Sequence, residues 1–159
     1  MAIEAPYSKY NKSSFKIWIF LLLGAAAIFA YDGYLSKYEW SHRRSFYDEH
    51  VIDGKPDGDM IFNQKSPPVF IGLAVVLTVW FYARKNRKIV AGDNELILAD
   101  NTKIPYDSIQ KIDRTYFDSK GHFTFTYKNE DGKEIDKKLN CRRYDNLKEI
   151  LELLVAKIS

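Results

Sequence analysis

Two stretches of this chain carry no charge: residues 17–31 (IWIFLLLGAAAIFAY) and residues 66–83 (SPPVFIGLAVVLTVWFYA). Neither shows the polar stripe that a surface helix needs, so each reads as a helix whose natural solvent is lipid. With Phe15, Tyr34 and Leu35 flanking it, the first run approaches the roughly 20 residues that cross about 30 Å of hydrocarbon. Lys16 can snorkel to the interface. In the second run Pro67 and Pro68 read as the first helical turn, where an amide has no partner to lose. The pattern predicts a leader over 1–14, a transmembrane helix over 15–35, an external loop over 36–65, a second transmembrane helix over 66–83 and a domain over 84–159. A cleavable signal peptide fits the first run poorly, because Ile28 occupies a position that wants a small residue if Ala30 ends the leader.

Outside these runs the period changes. In the loop, Leu35, Tyr38, His42 and Phe46 fall at helical spacing, so the first helix is expected to continue beyond the membrane. Residues 53–59 (DGKPDGD) form a turn cluster. Beyond Lys88, the runs 95–99 (ELILA), 102–106 (TKIPY), 110–117 (QKIDRTYF), 122–128 (HFTFTYK) and 133–139 (KEIDKKL) read as short strands separated by Gly, Asn and Asp turns. Phe123, Phe125 and Tyr127 alternate with Thr124 and Thr126, which gives one buried and one wet face. A helix is expected to follow. Asp145 is its predicted N-cap, and Leu147, Ile150, Leu151, Leu154, Val155 and Ile158 share its apolar face. The fold class is therefore a membrane α-helical hairpin plus an α+β domain, with an antiparallel curled sheet or partial barrel of about five to six strands closed by a C-terminal amphipathic helix.

Charge sets the orientation. Lys9, Lys12 and Lys16 precede the first run, and Arg84, Lys85, Arg87 and Lys88 follow the second. Residues 32–65 hold five basic against seven acidic side chains. Because Lys and Arg near a span stay inside, both termini are expected to be cytoplasmic. Trp18 and the Trp80, Phe81, Tyr82 group then lie at one interface.

Residues 94–112 (NELILADNTKIPYDSIQKI), followed by hairpins and a final helix, resemble the small bacterial pleckstrin-homology-like domains, over about residues 88–158. The resemblance implies a curled sheet closed by a helix, beside transmembrane segments, and a full domain of that type has seven strands. It implies little about activity.

Candidate chemistry changes the picture only slightly. With 24 Lys and Arg against 21 Asp and Glu, the 159 residues give no basis for a nucleic-acid surface. One cysteine, Cys141, excludes an intrachain disulfide; beside Arg142 and Arg143 it could be reactive, but a small packing residue is the plainer reading. The turn cluster lacks the alternating ligands and the bidentate Glu of a calcium loop. His42 and His50 lack a third ligand of suitable spacing. No phosphate loop, nucleophile elbow or cofactor motif is legible, and no small-molecule substrate is expected.

The candidate functional residues are of two kinds. Arg84, Lys85, Arg87 and Lys88 form a lipid-surface set, since each can gain about 1 kcal/mol from anionic headgroups. Gly24, Ala26, Ala27 and Ala30 offer close-approach helix surfaces. A further basic group, Lys137, Lys138, Arg142 and Arg143, is nearly cancelled in sequence by Glu130, Asp131, Glu134 and Asp136, and reads as a solvated face. The expected function is a non-enzymatic accessory, structural or docking subunit of a larger membrane complex, contacting membrane lipids and other membrane-protein subunits. The competing reading is a membrane-tethered module that recognises anionic lipid headgroups or a partner peptide.

Overall fold

A computed structural model describes residues 2–158. In chain order the elements are β1 (Ile3–Pro6), α1 (Lys9–Ala30), α2 (Arg44–His50), β2 (Val51–Ile52), β3 (Lys55–Pro56), α3 (Gly58–Arg84), β4 (Lys88–Ala91), β5 (Glu95–Ile97), β6 (Lys103–Pro105), β7 (Ile109–Asp113), α4 (Phe117–Lys120), β8 (His122–Lys128), β9 (Glu134–Asn140) and α5 (Leu147–Ile158). They form two compact units. One joins the two ends of the chain, up to Ser13 and from Tyr82 onward; the other is Ser14–Phe81.

In the second unit, α1 and α3 are both long and apolar enough to cross a bilayer. Their apolar side chains mostly point outward, with Phe20 75% and Val79 65% exposed. The helices run antiparallel: Phe15 packs edge-on against Trp80 with ring centroids 5.5 Å apart, and Phe29 stacks on Phe70 at 5.6 Å.

Both helices extend beyond the limits read from hydropathy. α1 starts at Lys9 and α3 at Gly58, eight residues before the uncharged run. Pro67 and Pro68 therefore lie inside α3 and not in its first turn. An interior proline removes the amide that would bond to the carbonyl four residues back, which frees the carbonyls of Asn63 and Gln64. Both meet the end of the first helix, where Tyr31–Leu35 forms a π turn. The Tyr34 hydroxyl donates to Gln64 O (2.5 Å), and the Gln64 side-chain amide donates to Gly33 O (3.2 Å). Gly33 is needed there, since a Cβ at that position would stand 2.6 Å from Asn63 O. The first helix does not continue through His42 and Phe46. It ends at Leu35, the Ser36 N–H bonds back to Tyr31 O (3.0 Å), and Arg43 folds onto Asp32 in a bidentate pair (2.9 and 3.0 Å).

The 53–59 turn cluster becomes the β2–β3 hairpin and the start of α3. Asp57 Oδ1 accepts the Met60 N–H (3.0 Å), capping α3, while its Oδ2 lies 2.7 Å from His50 Nδ1. His50, Asp57 and Asp59 thus cluster, their ligand-type atoms all within 4.8 Å of one another. The Asp57 hydrogen bond holds the His50 pKa above its ordinary 6.5, so the stabilisation from this group is complete below pH 6.5 and is lost as pH rises through the folded value. Asp57 is depressed below 3.8, first by the Met60 amide and then by His50, so its contribution is present above that pH and is lost as pH falls through its lowered value. A proton NMR titration is expected to place the His50 midpoint above 6.5 and to return it toward 6.5 in Asp57→Asn. A midpoint at or below 6.5 in the parent protein would contradict the pairing.

The first unit is α+β, with antiparallel sheets of four and three strands, in the orders β1-β4-β5-β6 and β7-β8-β9. Two of these strands lie outside the sequence reading. Residues 1–14 are not a free polar leader, because Ile3–Pro6 pairs along β4 from Ile3↔Ala91 to Pro6↔Lys88. Lys88, from the basic set after the second run, is the first residue of β4. The 110–117 run stops at Asp113, and Phe117 opens the short helix α4. The Thr115 N–H turns onto the Asp113 carboxylate (2.9 Å), which breaks the strand. Ala5, Ile89, Leu96, Ile104, Phe123, Phe125, Leu147, Ile150 and Leu154 share one buried core, so the apolar faces of both sheets and of α5 are covered together.

Candidate docking groove

β1 and the first turn of α1 are latched to the corner that follows β9. Asn140 builds this corner: its Oδ1 accepts the Arg142 N–H (2.7 Å), and its carbonyl accepts those of Arg143 (2.9 Å) and Tyr144 (3.1 Å). Ser8 then ties the corner to α1. Its Oγ donates to Arg142 O (2.5 Å) and accepts the Asn11 N–H (3.2 Å), acting as the helix N-cap. Asp145 does not cap its own helix. Its Oδ2 accepts the Lys9 N–H (3.0 Å), so it caps α1, and Asn146, at φ +59, lies between it and α5. The rings of Tyr7 and Tyr144 meet edge to face with centroids 6.4 Å apart.

This latch holds open a groove of about 670 Å³ between β9 and the first sheet. Its floor is apolar, from Ile89, Leu98 and Leu139, which are 1%, 6% and 6% exposed. Its rim is cationic: Arg87, Lys137, Lys138, Arg142 and Arg143 line it, with Asp100 as the one acid among the lining residues. Asp100 lies 4.0 Å from Lys137. Its pKa is held down mainly by hydrogen bonds from Thr102. Burial raises the Tyr144 pKa, and the nearby Arg143 and Arg87 oppose that rise.

The fold thus separates charges that the sequence seemed to cancel. Glu130 and Asp131 lie in the β8–β9 turn, and Asp136 accepts a hydrogen bond from Thr126 (2.6 Å) on the sheet face; neither they nor Glu134 line the groove. The 137–143 basic residues are exposed or half-buried and line a groove in which Asp100 is the one lining acid. They are joined by Arg87 from the other basic set, a meeting of residues about 50 apart in sequence that no local signal announces.

The remaining candidates are dispersed. Lys88 is paired with Glu4 (2.6 Å) across β1 and β4, and Lys85 lies over the Tyr82 ring at 3.9 Å. Arg84 closes α3. Of the small residues, Ala26 is buried and Ala30 half-buried, Ala27 is exposed, and Gly24 has open space where a side chain would go. A close backbone approach between the helices is at Gly33, opposite the carbonyls that Pro67 and Pro68 free. Cys141 is half-buried, and burial pushes its thiol pKa up, which opposes activation by the neighbouring arginines. A second depression, of about 820 Å³, is lined by Phe117, Leu151 and Val155 beside charges of both signs. It lacks the single-sign character of the first. No protein-family model, curated protein or solved structure matches the chain, so a functional reading rests on the cationic groove and the two apolar helices.

Proposed function

We propose that this chain is a non-enzymatic membrane-anchored docking subunit, whose α1–α3 hairpin crosses a bacterial inner membrane and whose domain engages another component of a larger membrane complex. The observation that carries this reading is the groove, where five cationic residues over an apolar floor face a single acid. Insertion of the hairpin is supported by its outward apolar surface, which has no favourable contact with water. Pairing of β1 with β4 supports an even number of crossings, because hydrogen-bonded neighbours cannot be on opposite sides of a bilayer. The positive charges beside both runs favour a cytoplasmic domain. Sheets of four and three strands followed by a C-terminal helix favour the pleckstrin-homology-like resemblance, as a partial barrel that α5 closes.

A second reading, direct recognition of anionic headgroups, is favoured by Arg84 and Lys85 at the end of α3, where each surface cation contributes about 1 kcal/mol. Purification in mild detergent followed by mass spectrometry separates the two. Docking predicts a co-migrating membrane protein that is lost from a Lys138→Glu, Arg142→Glu double variant with an unchanged melting profile. A parent protein that runs alone as a monomer contradicts the docking subunit.

A further inference from the structure

The groove follows the unpaired edge of a strand. β9 pairs with β8 from His122↔Asn140 to Lys128↔Glu134, and it is the outer strand of its sheet. Four consecutive residues of the chain, 137–140, line the groove. Successive strand residues point to opposite faces, so a cavity touches four in a row only from the edge. The Cys141 N–H donates to Gly121 O (2.8 Å), continuing the same register. Peptide groups alternate in an antiparallel ladder, so those of Leu139 and Lys137 turn toward β8, and those of Lys138 and Asp136 turn toward the open side. An edge with outward amides and carbonyls is a template for one more strand.

From this geometry we infer that the groove binds an extended acidic segment of a partner protein by strand addition to β9. The inference rests on the docking reading and names the chemistry of the docked partner. The outward peptide group of Lys138 in the groove, and that of Asp136 farther along the same edge just beyond it, pair with its main chain. Alternate apolar side chains meet the Ile89 and Leu98 floor, and its carboxylates meet Arg87, Lys138, Arg142 and Arg143, none of which makes an ion pair among the described residues. A segment alternating acidic and β-branched residues satisfies all three demands at once. A lipid phosphate would use the cations alone and leave both the apolar floor and the strand edge without a partner.

The test uses the full-length protein in micelles of a neutral detergent and a fluorescent (Glu-Val)4 peptide with blocked ends, read by anisotropy. The peptide is expected to bind, more weakly as salt rises, and a (Lys-Val)4 peptide is not. Two further peptides carry N-methyl groups on all Glu or on all Val residues. Only one of these sets faces β9, so one peptide is expected to lose roughly tenfold or more in affinity while the other keeps it. Because this arm uses the parent protein, it is independent of any folding defect. Lys138→Gln with Arg142→Gln is expected to weaken binding by a similar factor. Equal affinity of both methylated peptides would overturn strand addition and leave a purely ionic contact. Displacement of the peptide by phosphatidylglycerol vesicles, with no effect of N-methylation, would overturn it in favour of a lipid. Absence of any acidic-peptide binding would also overturn it; if a partner still co-purifies through the groove, only this inference fails, and the docking reading stands.

Discussion

Leu154→Ala is expected to destabilise the domain by about 2–5 kcal/mol, the usual cost of emptying a buried leucine site. Leu154 is 0% exposed and shares its core with Phe123 and Phe125 of β8 and with Leu96 of β5. Small domains have total stabilities of roughly 5–15 kcal/mol, so the loss is a large fraction of the whole. Lys148→Ala on the same helix is the control: its ion pair with Glu152 spans 4.0 Å at the surface and is worth under about 0.5 kcal/mol. Both belong in the full chain, since a fragment beginning at residue 88 would lack β1 and leave the edge of β4 bare. Thermal unfolding of the two variants in detergent should separate them clearly. If both melt like the parent protein, α5 contributes nothing to the core.

Gly33→Ala is expected to disturb the hairpin by forcing α1 and α3 apart at their close approach. The new Cβ would stand 2.6 Å from Asn63 O, 2.7 Å from Asn63 C and 2.9 Å from Gln64 N, all backbone atoms of α3 that no side-chain rotation can move aside. Overpacking of this kind costs about 1–3 kcal/mol, and the separation it forces would also break the Tyr34–Gln64 hydrogen bond. Gly24→Ala meets nothing within 4 Å and should be neutral. Cross-linking by a short bifunctional maleimide between cysteines replacing Phe29 and Phe62, whose rings lie 5.3 Å apart, reads the effect in a Cys141→Ser background. The yield should fall in Gly33→Ala and hold in Gly24→Ala. Equal yields would place the helix contact elsewhere.

What the sequence could reveal was what local patterns encode. Two uncharged runs marked α1 and α3, alternation marked β8, and three-and-four spacing marked α5, because each signal lies within a few residues of itself. The misses share one cause, dependence on residues far along the chain. Ile3–Pro6 is too short and mixed to read as a strand, and it becomes one only against β4, more than 80 residues later. Asp145 has the right chemistry for a cap, but the amide it meets belongs to Lys9, 136 positions away. Pro67 and Pro68 were legible as punctuation; their role inside a helix depends on Gly33 and Tyr34 receiving the carbonyls they free. The groove was least legible of all. Its cations were visible as two sets, but not their convergence on one groove from Arg87 and from the end of β9, nor the removal of Glu130 and Asp131 into the β8–β9 turn.

The anchored-domain account is tested most directly by labelling intact cells with an impermeant maleimide. Single cysteines are placed at Ala2, Lys55 and Lys111, all exposed, in the Cys141→Ser background. Gly54 and Asn101 are avoided because their φ values of +73 and +66 disfavour a cysteine. The account predicts that Lys55→Cys reacts while Ala2→Cys and Lys111→Cys are both protected until the cells are opened. Ala2→Cys and Lys111→Cys labelling on opposite sides, or all three reacting alike in intact cells, would contradict it.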